Sequence, residues 1–66
     1  MTKNKFKTNL KALREIRGFT QENLASKTKL TRGQVASYEE GRAEPSFDKL
    51  KALCKALDTN PSVLIG

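Results

Sequence analysis

The chain has 66 residues, with 13 Lys and Arg against 7 Asp and Glu, giving a formal net charge of +6. That length fits one small domain, which hides only about 60% of the surface its unfolded chain exposes, so helix packing, alone or with self-association, must supply its stability. With no histidine and a single cysteine, Cys54, zinc ligation, histidine-based acid–base chemistry and an internal disulfide are excluded. No apolar run approaches a membrane span or a signal peptide, so a cytoplasmic location is expected, with no membrane partner.

A lysine-rich start comes first, read as a basic, flexible arm over residues 1–5, with Lys3 and Lys5 placed to reach phosphate or a groove. The first helix is expected from Phe6 to Arg17, where Phe6, Leu10, Leu13 and Ile16 recur at helical spacing. Gly18 follows the cations Arg14 and Arg17, as a helix C-terminus requires. Thr20 then supplies an N-cap for a short helix, Gln21 to Lys27, with Glu22 near its positive end. Thr31 opens a third helix, and the spacing of Thr31 to Gln34 is that of a capping box. This helix carries Val35 and Tyr38 on one side and ends at Gly41, and Arg42 to Pro45 reads as a loop.

Ser46 caps a fourth helix with Asp48 in its first turn and an apolar stripe of Phe47, Leu50, Leu53, Cys54 and Leu57. Cys54 on that stripe reads as a core filler rather than a nucleophile. Asn60 and Pro61 form an N-cap and a first-turn proline for a short last helix with Val63 and Leu64. There is no strand-like alternation and no repeat. The expected fold is all-α: a bundle of five short helices in one domain over residues 6–66.

The informative stretch runs from Thr20 to Gly41. Its two capped helices are joined by Thr28, Lys29 and Leu30 alone, too short a link for the second helix to run back along the first. A steep crossing follows, the geometry of a helix-turn-helix. Ala25 is the small residue expected at the crossing, with Leu24, Leu30 and Val35 packed beneath the pair. The outer face of the third helix is then polar, with Arg32, Gly33, Gln34 and Ser37, and its outward N-terminus fits a major groove about 12 Å wide.

The ordered set Leu13-Arg14, Gly18-Phe19-Thr20-Gln21, Leu24-Ala25, Leu30-Thr31, Val35, Tyr38-Glu39, Gly41, Pro45 and Leu57 resembles the Cro/phage-repressor helix-turn-helix family over about Leu10 to Leu64. The resemblance implies a lambda-repressor-like bundle that binds double-stranded DNA, with the third helix as recognition helix. Arg32, Gly33, Ser37 and Gln21 match positions that meet bases in relatives, Gln21 reaching either an outer base pair or the backbone. Arg32 suits a bidentate pair to guanine, worth about 1–3 kcal/mol of discrimination. Gly33 permits close backbone approach or is simply a weak helical position, since glycine costs about 1 kcal/mol there relative to alanine.

Thr20, Lys29, Thr31, Tyr38 and Arg42 are expected at phosphates, which set register without encoding sequence. Gln34 serves either a phosphate or, the favoured reading, the cap on Thr31. By the same resemblance Arg14 and Glu39 form a structural ion pair across the bundle.

Two positions depart from the family pattern. Relatives carry glycine where this chain has Lys29, a turn position of positive φ that lysine adopts at a cost. Glu40 stands where asparagine is usual, and a carboxylate there repels phosphate.

Two functions compete at this point. The first is a sequence-specific repressor that binds a two-fold operator as a homodimer through Pro61, Val63, Leu64 and Ile65. The second is a protein-interaction module, such as an antitoxin-like subunit. An enzyme is not expected, because there is no phosphate-binding glycine loop, histidine or metal cluster, and no cofactor or small-molecule ligand is implied. The end at Gly66 suits either a small protein of this kind or the N-terminal module of a longer repressor.

Overall fold

The computed structural model describes residues 2–65, with side chains from Lys5 to Ile65. Five helices occupy most of that span: α1 (Thr2–Ile16), α2 (Gln21–Thr28), α3 (Arg32–Glu40), α4 (Phe47–Leu57) and α5 (Pro61–Ile65). There is no strand among the described residues. The segment read as a flexible arm is helical from Thr2 onward, so α1 begins four residues before the expected Phe6. Met1 and the side chain of Lys3 lie outside the described residues.

The helix boundaries follow from local chemistry. The Thr20 and Thr31 hydroxyls accept the backbone N–H groups of Asn23 and Gln34, each at 3.0 Å. The Asn23 and Gln34 side chains answer by accepting the cap residues' own N–H groups, closing two capping boxes. The Ser46 and Asn60 side-chain oxygens cap α4 and α5 by accepting the Lys49 and Val63 N–H groups. At the other ends the chain turns through left-handed residues: Gly18 after α1, Lys29 after α2, Gly41 after α3 and Asp58 after α4. Glycine adopts that conformation freely, whereas Lys29 and Asp58 hold it at a steric cost.

The core gathers one face of every helix: Phe6 and Leu10 from α1, Leu24 and Ala25 from α2, Val35 and Tyr38 from α3, Leu53, Cys54 and Leu57 from α4, and Leu64 from α5. Leu10, Leu24, Val35, Leu53, Leu57 and Leu64 are fully enclosed. Each such side chain is worth about 1.5–3 kcal/mol relative to exposure, which matters greatly in so small a domain.

Two residues of the expected apolar stripes lie outside this core. Ile16 is 73% exposed. Counted from Leu10 at about 100° per residue, Ile16 falls some 120° off the core face while Arg14 falls within about 40° of it, so the arginine turns inward. Phe47 is 65% exposed, standing at the first position of α4 with the Lys51 ammonium 5.2 Å from its ring centroid.

Long-range polar contacts lock the helices together. The Asn9 amide donates to the Val63 and Leu64 carbonyls at 3.2 and 3.0 Å, fastening α5 to α1. The Arg17 guanidinium donates to the Leu57 and Asp58 carbonyls, covering the C-terminal end of α4. These contacts hold α1 against the last two helices and leave α2 and α3 to present their outer faces.

Candidate nucleic-acid interface

The α2–α3 pair is joined through Lys29, whose φ of 61° reverses the chain direction. The Lys29 and Leu30 N–H groups both donate to the Ala25 carbonyl, and the Thr28 hydroxyl donates to the Leu24 and Ala25 carbonyls. The end of α2 is therefore satisfied inside the fold. Thr28, expected in the link, instead completes the helix. Ala25 is 4% exposed, which is the small buried residue that close helix crossing needs.

With Val35 and Tyr38 turned inward, the first turn of α3 faces solvent, and Thr31, Arg32 and Gly33 are all exposed. Ser37, one turn beyond Gly33, is half-buried. The backbone at Gly33 is ordinary helix, and an added Cβ would meet only the Thr31 hydroxyl oxygen at 3.9 Å. Nothing within the fold requires glycine there.

Behind this face runs a continuous polar relay. The Arg14 guanidinium donates to both Glu39 carboxylate oxygens at 2.6 and 3.1 Å and to the Phe19 carbonyl at 2.7 Å. The Gln21 amide donates to Glu39 at 3.1 Å, and its oxygen accepts from Arg32 at 3.3 Å. A buried ion pair is thereby linked through Gln21 to an exposed arginine on the recognition face. The hydrogen bonds to Glu39 hold the Arg14 guanidinium above its ordinary range, against an opposing effect of burial. Fork-like pairing of this kind fixes direction as well as distance.

The expected site residues divide as follows. Arg32, Gly33, Ser37 and Gln21 come together on one side of the α2–α3 pair. Thr20, Thr31, Lys29 and Arg42 are exposed around it, and the two threonines, already accepting in their caps, keep a hydroxyl hydrogen to donate. Gln34 spends its side chain on the cap, as favoured. Arg42 pairs with Glu40 at 2.7 Å, so the atypical carboxylate is neutralised by its neighbour.

Two expectations fail. Tyr38, expected at a phosphate, is only 4% exposed, because its ring fills the core beneath α3, and burial raises its phenol above the ordinary range. Leu64, expected at a dimer contact, has no exposed surface, because α5 needs one residue to anchor it in the core. Val63 and Ile65 remain 52% and 38% exposed, with Pro61 half-buried beside them.

No cluster of three or more metal-ligating side chains occurs among the described residues, and none of their helices is long and apolar enough to cross a membrane. Cys54 is buried, and burial raises its thiol above the ordinary range.

A helix-turn-helix profile matches residues 10–64, nearly the whole bundle. The chain belongs to the XRE-type helix-turn-helix family of DNA-binding regulators. It is 39% identical over 57 residues to an immunity repressor protein of Bacillus phage phi105, covering 86% of this chain and 40% of that protein. It is 35% identical over 60 residues to the HTH-type transcriptional regulator YqaE of Bacillus subtilis (strain 168), covering 91% of this chain and 52% of that one. The chain thus spans about half or less of the length of these two relatives.

Among solved structures it is similar to the restriction-modification controller protein C.AhdI from Aeromonas hydrophila, at 37% identity and a TM-score of 0.87 over 91% of each chain. It is also similar to the clp gene regulator ClgR from Corynebacterium glutamicum, at 29% identity and a TM-score of 0.88, covering 98% of this chain and 70% of that one. The helix-turn-helix of this family is the α2–α3 pair described above.

Proposed function

We propose that the chain binds double-stranded DNA sequence-specifically, inserting the N-terminal half of α3 into the major groove, and that it represses transcription from a two-fold operator as a homodimer. The observation that carries this reading is the exposed Arg32, tethered through Gln21 to the buried Glu39–Arg14 pair. A guanidinium held in this way is pre-oriented for a bidentate pair with guanine, and less rotamer freedom is lost on binding. Arg32, Gly33, Ser37 and Gln21 meet base edges; Thr20, Lys29, Thr31 and Arg42 grip phosphates and set the register. Repression is supported by the name of the phage phi105 relative, an immunity repressor.

One recognition helix reaches only a few base pairs, so two copies are needed, with half-sites about 34–36 Å apart. Pro61, Val63 and Ile65 supply the apolar face for that pairing, with Leu64 anchoring α5 from below. Selection of bound sequences from a random duplex pool, at two salt concentrations and with Arg32→Ala in parallel, tests the proposal. An inverted repeat should emerge, with preference relaxed at one position per half-site in the variant. Affinity that falls with salt but selects no sequence would leave only electrostatic attraction and overturn the operator reading in favour of a protein partner.

A further inference from the structure

The recognition helix has a cation at its far end that does not belong to the helix-turn-helix. Lys7, in the second turn of α1, lays its side chain across Gly41, the left-handed residue that ends α3. A Cβ built on Gly41 would come within 2.8 Å of the Lys7 Cδ and 3.3 Å of its Nζ. The open side of the glycine is therefore the cradle in which the lysine stem rests, with the ammonium beside the final turn of α3.

That ammonium makes no hydrogen bond or ion pair with any described residue. The nearest carboxylate in sequence to this corner, Glu40, is already taken by Arg42 at 2.7 Å. The carbonyls of Ser37 and Tyr38 at the helix end accept from the Gly41 N–H, and that of Ser37 also from the Arg42 N–H. Among the described residues nothing takes up the three ammonium donors of Lys7, which leaves them for a partner.

The position of that partner follows from the length of α3. Its nine residues span about 13 Å at 1.5 Å each, whereas the major groove is about 8.5 Å deep. A recognition helix that meets base edges with its N-terminal residues carries its C-terminal turn away from them, toward the phosphates along the groove. We infer that Lys7 is a phosphate-binding residue, held by Gly41 at the C-terminal end of the recognition helix and acting with Arg42 on the rim of the groove. This inference rests on the DNA-binding reading proposed above. It assigns to α1, the helix outside the helix-turn-helix, a direct part in docking: α1 delivers one cation to the end of α3 while its Arg14 braces the same helix from within.

The test is the salt dependence of affinity for a selected duplex, measured by fluorescence anisotropy for the wild-type chain, Lys7→Ala, Lys7→Gln and Lys51→Ala. Lys51→Ala removes the same charge from α4, where the ammonium lies 5.2 Å from the Phe47 ring centroid, and controls for net charge. Loss of one phosphate contact lowers the magnitude of the slope of log K against log salt by about 0.9 for each chain bound. Both Lys7 variants should show that drop and an unchanged selected sequence, with thermal midpoints showing that they remain folded; Lys51→Ala should keep the wild-type slope. A purely structural role for Lys7 would move the thermal midpoint and leave the slope intact, overturning the inference. An equal change in slope for Lys51→Ala would overturn it as well, by making the effect one of total charge. If the wild-type chain bound no duplex in a salt-dependent way, the DNA-binding reading would fall first and this inference with it.

Discussion

Gly33→Ala separates what the fold needs at the head of the recognition helix from what DNA needs. Gly33 is the second residue of α3, in ordinary helical backbone, and an added methyl would touch nothing closer than the Thr31 hydroxyl oxygen at 3.9 Å. That is van der Waals contact, and it leaves intact the 3.0 Å cap from the Gln34 N–H to Thr31. Alanine is favoured over glycine in a helix by up to about 1 kcal/mol, so a first-turn position should gain about 0.5–1 kcal/mol. For a domain of this size the thermal midpoint should rise by roughly 2–8 °C.

If the α3 backbone approaches DNA at Gly33, the same methyl must push the helix out of the groove. Affinity for the operator should then fall at least tenfold, about 1.4 kcal/mol, while stability rises. Circular dichroism melting and fluorescence anisotropy on one preparation read both quantities. A higher midpoint with unchanged or improved affinity would refute the close approach and leave Gly33 as merely a weak helical position. An unchanged or lower midpoint would refute the stability argument itself.

Three further outcomes follow from the same geometry. Glu39→Ala strips the Arg14 guanidinium, 8% exposed, of its carboxylate and should cost about 3–5 kcal/mol in urea unfolding; a loss below about 1 kcal/mol would contradict the bracing role. Lys29→Gly relieves a left-handed lysine at φ 61° and removes a cation beside α3, so the midpoint should rise slightly while DNA affinity falls most at low salt; a fall in both would contradict it. Burial raises the Cys54 thiol and the Tyr38 phenol, so the unfolded chain loses these protons first as pH rises. The stability they contribute is complete below their ordinary values and is lost as pH climbs through them toward the folded ones, so the urea midpoint should fall above about pH 9. Cys54→Ala should flatten the earlier part of that fall, and a midpoint constant to about pH 10.5 would contradict the reading.

The sequence by itself determined where α2, α3, α4 and α5 begin and where the chain turns after α1 and α3. Thr20, Thr31, Ser46 and Asn60 each take up the cap their side-chain oxygen suits, and Gly18 and Gly41 each supply the left-handed turn that follows. These are contacts within a few residues, governed by local chemistry, and the short link at Lys29 forces the helix crossing by chain length alone. The ordered motif also carried the family and the pairing of Arg14 with Glu39.

Only the tertiary structure decided which faces of those helices became surface. Ile16 and Phe47 are apolar yet exposed, and Tyr38 and Leu64, expected at partners, went into the core. A stripe shows that a helix has an apolar side; how far that side extends depends on what packs against its ends. The relay from Arg14 through Glu39 and Gln21 to Arg32, the clamp of Asn9 on α5 and the Lys7 stem across Gly41 join residues 11 to 55 positions apart. No periodicity announces such pairs, because they exist only once packing has set the distances between helices.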